Sequence, residues 1–417
     1  SALAQRPSEN ARAYKLYVEA KSMFASSNNR AKYDEIVEKL EEATRLDSKF
    51  AAAFAELAYV NSTMFFYAAI DSTPVRAARA QRALAEAQRL APESGPTHVA
   101  TGYFAYACLA DYPAALRSFE AAVLSNPNDG TVRFTLGLVL RRLGRPVEAA
   151  VELERSVTLD PLDPRHHANL VQSLMTLRRY SEVVALAERR NRLREGSRKF
   201  SLEVVRARFE LDGDRALLGQ SLKELAADVV GGEKADRLAD AEMAAGNYAG
   251  ALRVLSDPQI EAQLLGAPLL KNFLLRAQLA SGLNRPEEIA VVAGRARSFT
   301  RAIQGARFSE FEAVRADMLL AALEGRKADA LEAMDRLRGS TKDDQFSGLI
   351  NKFQIATAYL VLGDKAEALA GLKSVMTGPN PGDVGPRSLH LHPIWSRLNG
   401  DPRFEAVVEL GHLFGTL

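Results

Sequence analysis

TVRFTLGLVLRRLGRPVEAAVELERSVTLDP, from Thr131 to Pro161, holds two helical patterns joined by a tight turn and closed by Asp-Pro. Leu136, Gly137 and Leu140 share one face of the first pattern, and Ala149 and Leu153 share one face of the second. Upstream, Ala115, Phe119 and Pro127 stand 34 residues before Ala149, Leu153 and Pro161. A fixed step of that length marks a helical repeat, a unit that buries its apolar stripe only by stacking on its neighbours.

Turns of the same kind recur along the chain. They read LADYPAA (109–115), LGRPVEA (143–149), LRRYSEV (177–183), AGNYAGA (245–251), LNRPEEI (283–289), LEGRKADA (323–330) and LGDKAEA (362–368). Glycine ends a helix in the left-handed conformation, while proline or an acidic residue opens the next. Ala115, Ala149, Ala251, Ala330 and Ala368 follow at the same place in their turns, so they are read as the small residues that let paired helices approach. Repeats are placed at 96–129, 130–163 and 164–197, the third held by Leu170, Leu174, Val183 and Ala187. Ile36, Leu40 and Ala43 mark an earlier hairpin. The hairpin from Phe54 to Pro92 has about ten extra residues between its helices, expected to be absorbed by a longer first helix or a loop near 69–74. Gly231-Gly232 and Asp257-Pro258 are expected to redirect the stack.

This spacing resembles the tetratricopeptide repeat. The resemblance implies an all-α fold: a right-handed superhelical solenoid of about ten antiparallel helix pairs. Residues 1–197 are read as an N-terminal array with its strongest repeats at 96–197, residues 198–388 as more divergent hairpins, and 389–417 as a C-terminal cap with a helix from Pro402. SENARAYKLYVEAKSMF at the start and HPIWSRLNGDPRFEAVV near the end are also similar to the repeat regions that follow a catalytic, winged-helix or kinase domain in bacterial multidomain signalling proteins.

Composition agrees with a folded protein. Of 417 residues, 47% are hydrophobic and 25% charged, and 54 basic against 52 acidic residues leave a net charge of +2. That balance supplies no global pull toward nucleic acid or anionic membrane. No apolar run approaches a membrane span. Cys108 is the only cysteine, so no internal disulfide forms; it is read as a small buried thiol. Because residue 1 is Ser, the chain reads as trimmed, which leaves room for an upstream domain acting in cis. A cytoplasmic location is expected, the alternative being the periplasmic part of a membrane-anchored protein.

Function is expected on the concave face lined by first helices. Its inward positions are read as Thr97, Ala100, Phe104, Thr131, Phe134, Leu138, Arg141, Arg165, Gln172 and Met175. Apolar and cationic groups side by side suit a peptide or protein segment, so the expected role is a non-enzymatic interaction scaffold in a larger signalling protein. The alternative is a structural module that positions or dimerises an attached catalytic domain. Some tetratricopeptide domains hold chaperone tails with a Lys-x-x-x-Asn helix, and this chain has none. The cations Arg178, Arg179, Arg189, Arg190, Arg192, Arg194, Arg198, Lys199, Arg206 and Arg208 could meet an acidic partner, but the sparse aromatics do not favour nucleic acid.

No phosphate loop, dinucleotide fingerprint, His-Glu-x-x-His helix or nucleophile elbow is present, so no catalytic residue and no cofactor is expected. His166 and His167 point about 100° apart on a helix, and no acidic cluster joins them in the linear spacing. His390 and His392 lie in a loop near Asp383. No metal is expected.

Overall fold

The structure, a computed structural model, describes residues 8–25, 30–66, 71–193, 202–264, 266–302, 307–340, 344–380 and 384–414. Those residues are all-α, with no strand among them. Two compact units, residues 1–170 and 171–417, divide the chain within helix Pro164–Thr176.

The first unit pairs Ala11–Ala25 with Arg30–Leu46, Ala51–Phe66 with Pro74–Leu90, Gly95–Phe104 with Tyr112–Ser125, and Gly130–Arg142 with Pro146–Leu159. Each first helix also packs on the next first helix. The caps follow the sequence: Thr73, Ser94, Asp111 and Asp129 accept hydrogen bonds from the first backbone N–H groups of their helices. Ile36, Leu40, Ala43, Ala115 and Ala149 are fully buried. The long connection expected near 69–74 falls partly on 67–70, outside the described residues.

Gly137 shows why the small positions matter. A Cβ there would come 2.6 Å from Leu153 Cγ, and one on Gly102 would come 2.5 Å from Phe119 Cε1. The two glycines do the same work in successive repeats, yet they stand 35 residues apart, while Phe119 and Leu153 stand 34 apart. A five-residue π-helical segment, Ala105–Leu109, takes up the extra residue. Ala110 then turns the chain at φ 50° where Gly144 does so at φ 75°. Cys108 sits in this segment, its thiol pushed up to about 11 by burial.

The second unit continues with Tyr180–Leu193, Leu202–Asp212, Arg215–Ala227, Gly231–Ala244 and Tyr248–Leu255. A short helix, Pro258–Gln263, is inserted where Asp257-Pro258 interrupts the pattern, and Asp257 caps it. Gly266–Gly282 with Pro286–Ala302, Arg307–Leu323 with Lys327–Ser340, and Gln345–Val361 with Lys365–Met376 complete the hairpins. Ala251, Ala330 and Ala368 are fully buried, as their places in the turns predict. Turns that lack glycine put Arg178 and Asn284 in the left-handed region, at φ 56° and 57°.

After Met376 the chain runs back across the second unit. Asn380 N–H donates to the Thr176 carbonyl at 3.1 Å. Arg178 donates to the carbonyls of Val375 and Gly378 at 2.8 and 2.9 Å. Glu210 accepts from the N–H groups of Arg387 and Ser388, each at 2.9 Å, and from the Ser388 hydroxyl. Arg397 donates to Ser281 Oγ at 2.8 Å, and Trp395 Nε1 donates to Thr357 Oγ1 at 2.9 Å. Thr176, Glu210, Ser281 and Thr357 all lie on first helices. The segment contributes Leu389, Ile394, Trp395 and Leu398 to a core shared with Phe353, Leu372 and Met376. Helix Pro402–Phe414 packs on Lys365–Met376.

Candidate functional site: a groove in the first unit

The first helices of the first unit meet around a cavity of about 340 Å³. Tyr17, Lys21 and Phe24 reach it from Ala11–Ala25, and Glu56 and Tyr59 from Ala51–Phe66. Pro96 and Val99 come from the third hairpin, Thr131 and Val132 from the fourth, and Asp129, Asp160, Asp163 and Arg165 from the turns and helix starts below.

Aromatic walls and charges alternate along this lining. Phe24 and Tyr59 meet edge to face at 5.5 Å, and the Arg165 guanidinium lies 4.9 Å from the Phe24 ring centre. Arg165 also grips Asp163, with one N–O distance of 2.6 Å. Burial tends to raise the Asp163 carboxyl, but the hydrogen bonds and charge of Arg165 outweigh it and hold the group below the usual carboxylate range. Glu56 behaves oppositely. Burial lifts its carboxyl above the usual range although Lys21 and Arg165 pull it down. Glu56 in turn raises Lys21. Four carboxylates and two cations therefore line the cavity, so its balance is acidic.

Of the ten positions first named for the groove, the cavity brings together Thr131 and Arg165. Phe134 is buried and stacked on His166 with ring centres 4.8 Å apart. Leu138 is buried, and Phe104 is half-buried. Arg141 is buried and donates to Asn169 Oδ1 at 3.0 Å. Gln172 and Met175 fall in the second unit, the former exposed and the latter buried. Thr97 and Ala100 are buried, and Pro96 and Val99 take the lining positions. The π-helical residue explains this: it moves the third first helix one place out of the 34-residue register, so Pro96, not Thr97, corresponds to Thr131.

Below the groove lies a grouping that the linear spacing did not show. Asp160, Asp163 and His166 place one ligand atom each within 4.8 Å of one another. The first closes helix Pro146–Leu159 and the second precedes helix Pro164–Thr176, so the Asp-Pro-Leu-Asp-Pro turn folds both carboxylates toward the ring. Linear reading weighed His166 only beside His167 and set that pair aside. His167 turns away and contacts the Pro161 carbonyl at 2.9 Å.

Part of the basic stretch is committed within the second unit. Arg178 is buried against carbonyls, Arg179 pairs with Glu182, and Arg206 pairs with Asp240 at 2.9 Å. Arg194, Arg198 and Lys199 lie outside the described residues, as does Asp383. His390 contacts Asn399 Oδ1 at 2.9 Å. No helix among the described residues is long and apolar enough to cross a membrane.

No protein-family model matches the sequence, and no curated protein matches it. Solved structures similar to it include a tetratricopeptide repeat protein from Parabacteroides merdae, 12% identical, which spans 73% of this chain and 98% of that one with a TM-score of 0.36. PilF of Pseudomonas aeruginosa is 19% identical over 52% of this chain and 93% of its own, with a TM-score of 0.36. Yeast Tom70 is 15% identical over 77% and 66%, with a TM-score of 0.47. The likeness concerns the fold: tandem helical hairpins of the tetratricopeptide kind.

Proposed function

We propose that this chain is a non-enzymatic protein-interaction scaffold, and that the groove of its first unit takes an extended peptide segment bearing a basic residue. The acidic, aromatic-lined cavity carries this reading. Tyr17, Phe24 and Tyr59 offer flat apolar surface at small entropic cost, the usual source of affinity in peptide grooves. Glu56, Asp129 and Asp160 offer carboxylates for orientation, and charge-assisted bonds formed there are stronger for being partly shielded from water. Arg165 keeps Phe24 and Asp163 in place more than it awaits an acidic ligand, because its guanidinium is already engaged on both. A partner that simply extends the fold in cis would use the same face.

Peptide display on the full chain tests this. Panning should enrich extended segments with Lys or Arg next to an aromatic or aliphatic residue. Glu56→Lys should weaken the selected peptides about tenfold, which corresponds to roughly 1.4 kcal/mol, and Lys21→Glu should strengthen them. Binders indifferent to both substitutions would move recognition off this groove.

A further inference from the structure

His166 is fully buried, and its two ring nitrogens face different chemistry. Nδ1 lies 3.3 Å from the Ser156 carbonyl, which can only accept, so Nδ1 carries the hydrogen. The neutral ring then presents a lone pair at Nε2. Nε2 has no hydrogen-bond partner, and it faces Asp163 Oδ2 at 3.7 Å. Two acceptors held face to face out of water repel unless something electropositive stands between them.

We propose that Asp160, Asp163 and His166 form a binding site for a divalent first-row transition cation of the zinc type. One imidazole nitrogen with two carboxylate oxygens is a donor set for such ions, whereas magnesium and calcium favour oxygen alone. The Nδ1–H to carbonyl bond is the outer contact that orients a ligating histidine and leaves Nε2 for the metal. Phe134 stacks on the ring and fixes its plane. Gly130 leaves the necessary room, since a Cβ there would lie 3.3 Å from Asp160 Cβ and 3.4 Å from His166 Cε1. Asp160 and Asp163 also line the groove, which is the route by which an ion enters. Arg165 already holds Asp163, so a bound cation shares that carboxylate with the guanidinium, and three protein ligands leave a position for water. The site stands whether or not a peptide occupies the groove.

The test is titration of the chelator-stripped full chain with Zn²⁺ and, as an optical probe, Co²⁺. One equivalent should bind, with visible Co²⁺ absorption and a rise in Tm on Zn²⁺ addition. Asp160→Asn should weaken Zn²⁺ at least tenfold while leaving the Tm of the stripped protein unchanged, which separates ligation from folding. His166→Gln should abolish the Co²⁺ band. Failure of the wild-type chain to retain an equivalent, as expected if only a water bridges Nε2 and Asp163, overturns the proposal. Retention of full affinity by both variants overturns it equally.

Discussion

The first helices of the two units line faces with opposite fates. In the first unit they surround an open groove with Glu56 and Lys21 in its wall. In the second, residues 376–380 and 384–399 lie across them, and Thr176, Glu210, Ser281 and Thr357 spend their polar groups on those stretches. The same hairpin architecture thus leaves an open groove in one case and seats its own chain in the other. The difference lies in what covers the helices. A face that has Trp395 fully buried on it has no comparable room for a second chain.

The largest effect separating the two regions should come from Ala149→Arg. Ala149 is fully buried at a hairpin contact, so the substitution overpacks the interface and buries a charge, at a cost above about 3 kcal/mol. Hydrogen exchange should show protection lost in 130–160, with Arg145→Ala, in the exposed turn, within about 0.5 kcal/mol of wild type. Equal tolerance of both would mean that the hairpin register is misplaced.

Glu210→Ala should act on the second region alone. It removes the acceptor for two backbone N–H groups and one hydroxyl, a loss of about 2–3 kcal/mol. Protease sensitivity should rise in 384–399 while peptide capture by the first unit is unchanged. A resistant segment would show that its apolar anchors, not Glu210, hold it.

The smallest effect should be a pH response of that same segment. His392 Nδ1 accepts from the N–H groups of Ile394 and Trp395 at 3.2 and 3.4 Å, a role that only the neutral ring can fill. Burial, helped by Arg397, lowers its pKa from 6.5 to about 4. The unfolded ring takes its proton near pH 6.5 and the folded one only near 4, so stability is full above that window and falls as pH drops through it. His392→Asn, which can accept the same bonds without titrating, should flatten the slope. A slope unchanged in that variant would assign the response to other groups.

Much of the fold could be read from the sequence because packing at the hairpin contacts tolerates only small residues. Ala115, Ala149, Ala251, Ala330 and Ala368 are all fully buried where the turns place them. The groove was less legible. A single inserted residue in the π-helical segment is invisible to a count based on second helices, since Phe119 and Leu153 keep their spacing. It rotates the third first helix and exchanges Thr97 for Pro96. The glycines offered the missing signal: Gly102 and Gly137 differ by 35, one more than the repeat. The Asp160, Asp163 and His166 grouping escaped for a related reason, because it assembles across a turn and not along one helix face. The covering segment obeys neither helix nor strand period, so the stretch around His390 and His392 read as loop. Trp395, the chain's only tryptophan, amid Leu389, Ile394 and Leu398, was the clue that it is buried.

The bond from Arg178 to the Val375 carbonyl spans 197 residues. At bacterial or eukaryotic synthesis speeds, about 10–40 s separate the emergence of its two ends from the ribosome. During that interval the helices between them have no covering segment, and their apolar rows face solvent or a chaperone. The groove of the first unit, built from neighbours, is complete before the second has closed.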